Sequence, residues 1–217
     1  MIQTKHLRHV CVVGNIGSGK STLARLLAQA IPNSVAILEN FDDNPFLKWY
    51  VADLPRWAFT NAVRYFYDYV RVYTELPTGR TYEYYFIDAG GATNRFVYGR
   101  YLREEKIMTP EESDFYELLC RIIQRAYAYP DPDAYIFLQS VPEKCFDRML
   151  ARGWDYQKDN LRLDYLRQID KYHRAFQREI HAQDIPALDL DSDTLDFTSQ
   201  EGCAETVRRV REFMNLA

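Results

Sequence analysis

At 217 residues, without internal repeat, low-complexity run or linker, the chain fits one globular domain with a sizeable core. Hydrophobic residues make up 47% and charged residues 27%, and a formal net charge of −4 gives no electrostatic reason to expect a nucleic-acid partner. No stretch approaches the ~20 apolar residues of a membrane span. Residues Met1 to His6 lack the apolar centre of a signal peptide, and Cys11, Cys120, Cys145 and Cys203 form no C-x-x-C. The four histidines show no metal-ligand spacing. The expectation is a cytoplasmic protein with reduced thiols and no zinc.

Val10 to Val13 is an apolar run that reads as a buried parallel strand. It enters Gly14-Asn15-Ile16-Gly17-Ser18-Gly19-Lys20-Ser21, a complete G-x-x-x-x-G-K-S, and a helical pattern follows with Leu23, Leu26 and Leu27 on one face. Strand, glycine loop and helix in that order are the context this motif requires. The glycines let the backbone wrap phosphate oxygens, while loop N–H groups and the helix N-terminus attract negative charge. Lys20 reaches the outer phosphates, and Ser21 can ligate magnesium. The stretch predicts a nucleotide phosphate site.

Ser34 to Leu38 reads as a second buried strand ending in Glu39, and Asp42-Asp43-Asn44-Pro45 breaks the chain. Pro45 suits the start of a short helix through Tyr50. Trp57 to Leu76 is one long helical stretch, stopped by Pro77-Thr78-Gly79. Tyr84 to Asp88 is a third strand; Gly90-Gly91 makes the turn, and Thr93 is expected to cap a helix to about Glu105. Thr109-Pro110-Glu111-Glu112 is a strong helix start, with a helix to about Tyr127. Ala134 to Gln139 is the fourth strand, Pro142 to Arg152 a helix, Asn160 to His181 another, Ile185 to Leu190 the fifth strand and Cys203 to Asn215 the last helix. Strands alternating with helices predict an α/β fold whose parallel sheet is covered on both faces. Ligands in such sheets bind beyond the carboxyl ends of the strands, where Gly14, Glu39, Asp88 and Gln139 sit.

Three sets of groups bear on chemistry. Asp88 ends an apolar strand, the position of an acid that holds magnesium directly or through water, against a solvated turn aspartate as the plain reading. Glu39 ends another strand, where it can take a proton from a hydroxyl as a γ-phosphoryl group moves, or simply cap a helix. Arg148, Arg152 and Lys158 flank a break between helices, suited to transferring charge or to a solvated helix end. The aromatics between Trp57 and Tyr73 read mainly as core. Asp88-Ala89-Gly90-Gly91 also fits the D-x-x-G of GTPases, but no Asn-Lys-x-Asp follows either later strand.

Taken together these motifs resemble the deoxynucleoside kinase family. The loop Gly14 to Thr22 is similar to that family's P-loop, and Glu39 followed by Asn44-Pro45-Phe46-Leu47 to its E-x-x-x-x-N-P-F-L. Trp57-Ala58-Phe59 resembles its W-S-F, Asn94-Arg95-Phe96-Val97-Tyr98 its D-R-Y-I-F, and Arg148 to Gly153 its lid R-x-x-x-R-G-R. Asp193 to Phe197 resembles its adenine-contacting loop, which would bring Asp196 and Phe197 to the nucleotide. The resemblance implies a P-loop kinase fold of five parallel strands, a homodimer joined through helices, and transfer of the γ-phosphate of ATP, with Mg²⁺, to the 5′-hydroxyl of a deoxynucleoside. Lys20 and Ser21 would hold triphosphate and metal, Asp88 would support the metal, Glu39 would be the base, and Arg148 and Arg152 would stabilise transferred charge.

The chain departs from the pattern mainly on the acceptor side. The arginine of the family's D/E-R-S is Ala89, the base-reading glutamine is Ala62, and the base-reading acid is Asn94. The tyrosine that meets the sugar is Val51, with Tyr50 adjoining, and the last lid arginine is Trp154. Trp57, Tyr50, Ala62, Asn94 and Glu39 are thus the expected acceptor residues, with a purine deoxynucleoside as the expected substrate. Two alternatives stand beside it: a catalytically weakened, nucleotide-binding regulatory or structural subunit, and a kinase for a different small hydroxyl compound.

Overall fold

A computed structural model describes residues 7–39, 44–76, 82–152 and 161–216. The strands are β1 (His9–Val13), β2 (Ser34–Ile37), β3 (Tyr84–Asp88), β4 (Ala134–Gln139) and β5 (Ala187–Asp191). They form one parallel sheet in the order β2-β3-β1-β4-β5, so the strand that leads into the phosphate loop lies at its centre. The helices are α1 (Lys20–Ala30), α2 (Leu47–Ala52), α3 (Leu54–Thr74), α4 (Gly90–Thr93), α5 (Arg100–Glu104), α6 (Pro110–Ala126), α7 (Pro142–Arg152), α8 (Leu163–Ala182) and α9 (Gln200–Phe213), with a π-helical turn, Asn94–Gly99, joining α4 to α5.

Side chains alternate across the sheet, and both faces are buried. Val10 and Val12 join Leu23, Leu27, Ile136, Leu190 and Val210 in a core under α1 and α9. Cys11 and Val13 join Phe66, Tyr69, Tyr116, Tyr135, Phe137 and Phe176 in a core under α3, α6 and α8. The long aromatics therefore fill one layer: Tyr135 and Phe137 stack along β4 at 5.8 Å and meet Phe176 edge-on. This two-faced burial is why the strands read as continuous apolar runs rather than alternating ones. Among the described residues no helix is long and apolar enough to cross a membrane.

The helix boundaries follow their caps. Thr109 forms the expected capping box with Glu112 at the start of α6. α3 begins at Leu54 rather than Trp57, because the Asp53 side chain accepts the Arg56 N–H and Pro55 occupies the first turn. α9 starts at Gln200 rather than Cys203, capped by Ser199 onto Gly202 N–H at 3.1 Å. Thr93 caps nothing: the helix starts earlier, at Gly90, and Thr93 is fully buried inside it. Pro45 precedes α2 in a turn where Asn44 Oδ1 accepts the Phe46 N–H at 3.0 Å, and α2 itself runs from Leu47. The expected breaks at Asp42-Asp43 and Pro77-Thr78-Gly79, and the expected lid residues Trp154 and Lys158, lie outside the described residues.

The phosphate loop is backed by α7. Gly17 has φ 82°, and a Cβ placed there would stand 2.2 Å from the Cys145 carbonyl oxygen. Both facts exclude a side chain. We expect Gly17→Ala to lower unfolding stability by at least about 2 kcal/mol, read as a reduced midpoint in urea with an unchanged slope.

Candidate active site

The parallel register sets the geometry. β1 and β3 pair with Val12 opposite Asp88, so the Asp88 carboxylate stands beside the loop that leaves β1. The Ser21 hydroxyl donates a short hydrogen bond to Asp88 Oδ2. The other oxygen, Oδ1, is buried with no hydrogen-bond partner among the described residues. A hydroxyl and an orphaned carboxylate oxygen, side by side next to a phosphate loop, form the hard oxygen donor set that Mg²⁺ takes. The residues present fit that ion.

Lys20 opens α1 and is buried, its ammonium donating to the Asn15 carbonyl at 3.0 Å. Asn15 ties the loop down at two points. Its Nδ2 donates to the Leu166 carbonyl of α8 at 2.8 Å, and its Oδ1 accepts the Ile16 N–H at 2.8 Å. Gly14 is packed too closely against Ser18 and Leu138 to carry a side chain, and Gly19, at φ 99°, turns the chain into α1.

Glu39 follows β2, and its Oε1 accepts a 2.6 Å hydrogen bond from the Tyr69 hydroxyl of α3. Burial first, and the neighbouring Asp88 charge second, push its carboxyl up to about 7, against the pull of Lys20, Tyr69 and Arg152. A carboxylate titrating there is matched to proton transfer near neutrality. Arg148 donates to the Ser192 carbonyl at 2.8 Å and lies 3.5 Å from Asp193, which in turn accepts the Val141 N–H at 2.9 Å. One helical turn on, Arg152 joins it at the same cavity.

That cavity holds about 480 Å³, a volume in the range of small-molecule sites. It runs from Ile16, Gly17, Gly19, Lys20, Ser21 and Thr22 past Glu39 and Asp88 to Tyr50, Val51, Asn61, Ala62, Tyr65 and Asn94. Arg148 and Arg152 close one side, with Tyr98, Leu102 and Tyr165 on another wall. The structure thus gathers Glu39, Asp88, Lys20, Ser21, Arg148, Arg152, Tyr50, Ala62 and Asn94 in one space.

Other expected site residues stand apart from it. Trp57 is absent from the described lining: its ring packs on Trp49 at 4.9 Å and Phe46 at 5.9 Å, under the Arg56 guanidinium. Asp196 and Phe197 also lie outside the lining; the Phe197 ring backs Gly19, and Asp196 Oδ1 accepts from Thr198 N–H and hydroxyl. Ala89, where the family pattern has arginine, is buried at φ 60°, its carbonyl accepting the Cys11 thiol at 2.9 Å. Asn61, Tyr65, Tyr69 and Tyr165 escaped the sequence reading, and Tyr98 entered it only as the last residue of the D-R-Y-I-F match. Asn61 did carry a signal, as an amide within the apolar face of α3.

The raised Glu39 carboxyl has a consequence for stability. Unfolded, it titrates near 4.5; folded, near 7, so the folded chain holds this proton more tightly. Its contribution to stability is complete below pH 4.5 and lost as pH rises through 7. Glu39→Gln, which cannot ionise, is expected to gain stability relative to wild type between pH 5 and pH 8, measured by urea unfolding at both.

Comparison with known proteins agrees with this geometry. The sequence profile of the deoxynucleoside kinase family matches residues 10–215. The chain is 25% identical over 224 residues to a deoxyadenosine kinase of Dictyostelium discoideum, covering 99% of this chain and 84% of that one. It is 24% identical over 203 residues to a deoxyguanosine kinase of Lactobacillus acidophilus, covering 91% and 86%. The fold matches the structure of deoxyadenosine kinase from M. mycoides with bound dATP at a TM-score of 0.72 and 14% identity, over 95% of this chain and 98% of that one. The chain belongs to the deoxynucleoside kinase family of phosphotransferases.

Proposed function

We propose that the chain transfers the γ-phosphoryl group of ATP, with Mg²⁺, to the 5′-hydroxyl of a purine deoxynucleoside. The observation that carries this reading is the shared cavity: one space of about 480 Å³ is lined by the phosphate loop, Glu39 and Asp88 together with Tyr50, Ala62 and Asn94. The spacing of Glu39 to Asn44-Pro45-Phe46-Leu47 favours the purine, while Ala62, which stands where the family pattern has its base-reading glutamine, does not add to that reading.

Lys20 and the loop amides hold the β- and γ-phosphate oxygens, on a loop that the Phe197 ring backs at Gly19. Ser21 and Asp88 would hold the metal, which when bound neutralises charge on the bridging and γ-oxygens. Tyr50 lies at the sugar. Glu39 receives the 5′-hydroxyl proton as that oxygen bonds to the γ-phosphorus; the bond from phosphorus to the β,γ-bridging oxygen breaks, and ADP leaves. Arg148 and Arg152 balance the charge spread over the moving group. The four unpaired cysteines support a reducing, cytoplasmic setting.

The reading includes a homodimer. Phe115, Leu118 and Ile122 lie on one face of α6, each more than two-fifths exposed, and Phe115 stacks with Phe59 of α3 at 6.0 Å. An apolar stripe spanning two helices is the kind of surface a second copy covers. Leu118→Arg is expected to convert dimer to monomer by light scattering.

The test of the activity is ADP release with each deoxynucleoside and ribonucleoside. Wild type is expected to turn over a purine deoxynucleoside, and Glu39→Gln to lose about 10²- to 10⁴-fold in kcat. Its kcat/KM is expected to rise with pH through about 7, because only the ionised Glu39 accepts the proton. No acceptor-dependent turnover across that panel overturns the reading.

A further inference from the structure

The cavity that holds Glu39 is also lined by two carboxamides, Asn61 and Asn94, each with its oxygen engaged by a neighbour. On α3, Asn61 lies two helical turns before Tyr69, the partner of Glu39, so the cavity extends along this helix from proton acceptor to amide. The Asn61 orientation follows from a chain anchored on backbone. The Phe46 N–H can only donate, so the Asn44 atom that receives it at 3.0 Å is its oxygen. Asn44 therefore offers its Nδ2, which donates to Asn61 Oδ1 at 2.9 Å. What Asn61 has left for the cavity is an N–H₂ group.

Asn94 is set in the same way from another direction. It opens the π-helical turn, a local irregularity that re-aims side chains at functional sites. Its Oδ1 accepts from the Tyr116 hydroxyl, whose ring is buried in the core. Tyr116 fits there because residue 99 is glycine; a Cβ at Gly99 would stand 2.9 Å from its ring. With its oxygen taken by the Tyr116 hydroxyl, Asn94 has its N–H₂ group left over. Both amides line the cavity, as does Ala62.

We infer that the cavity selects nucleoside bases with oxo rather than amino substituents on the edge that meets Asn61 and Asn94. This deepens the nucleoside kinase reading and rests on it. A carbonyl oxygen accepts from either N–H₂ group, as in 6-oxopurines and 4-oxopyrimidines. An exocyclic amine facing either N–H₂ group would set donor against donor, and that pairing is lost. Asn94 and Asn61 would touch the base; Tyr116 and Asn44 act through them as positioning residues.

The test compares 2′-deoxyguanosine with 2′-deoxyadenosine, and thymidine with 2′-deoxycytidine. Dissociation constants are measured by calorimetry without ATP, and kcat/KM with ATP and Mg²⁺. Wild type is expected to favour the oxo member of the better-bound pair by about tenfold or more. Asn94→Asp presents a carboxylate acceptor and is expected to reverse the order. Tyr116→Phe frees the Asn94 amide to turn over and is expected to bring the two members within about threefold. Because each readout is a ratio within one variant, a general loss of stability does not move it. Preference for the amino member in wild type, or a ratio unchanged in both variants, overturns the inference. Oxo-selective binding without turnover upholds it while removing the kinase reading; turnover with amino selectivity does the opposite. Binding of none of the four nucleosides removes both.

Discussion

The site hangs on one strand register. With Val12 opposite Asp88, the carboxylate emerges where the phosphate loop leaves β1, and Ser21 reaches it with a hydrogen bond. A slip of one residue would turn Asp88 to the other face of the sheet and put its neighbour Ile87 at the loop. What prevents the slip is the core itself, since both faces of β1 and β3 are packed with apolar side chains of fixed sides. Catalytic geometry here is inherited from hydrophobic packing.

Two sets of groups in the cavity obey different physics. Around the phosphate loop charge governs: the buried Lys20 and the exposed Arg152 both pull on the buried Glu39 carboxyl, against the push of Asp88. The other set is neutral amides and phenols, Asn61, Asn94, Tyr50 and Tyr165, the last two 3.4 Å apart at their hydroxyls. There the discrimination lies in which atom of a pair donates. α3 serves both sets, since Tyr69 steadies Glu39 and Asn61 lines the cavity.

Local signals were legible in the sequence. The glycine loop, the strand termini at Asp88 and Gln139, and the Thr109 capping box all depend on residues close in the chain, and they stand where the pattern put them. Features set by distant partners were less so. Thr93 has the chemistry of a cap, yet the helix starts three residues earlier and buries it against Cys11. Trp57 looks like a ligand platform, but Phe46 and Trp49 claim its faces. The polarity of Asn94 is invisible in sequence, because it is imposed by a tyrosine 22 residues away.

Ala89 shows how such a site becomes committed to one solution. Its left-handed backbone, φ 60°, disfavours any residue but glycine, and its side chain is enclosed, with the carbonyl held by Cys11. The arginine of the family pattern would need room on every side of that methyl group. An arginine placed there by a single substitution would therefore have to displace the surrounding core. Two guanidinium groups that do reach the cavity, Arg148 and Arg152, both stand on α7 and leave the packing around Ala89 undisturbed.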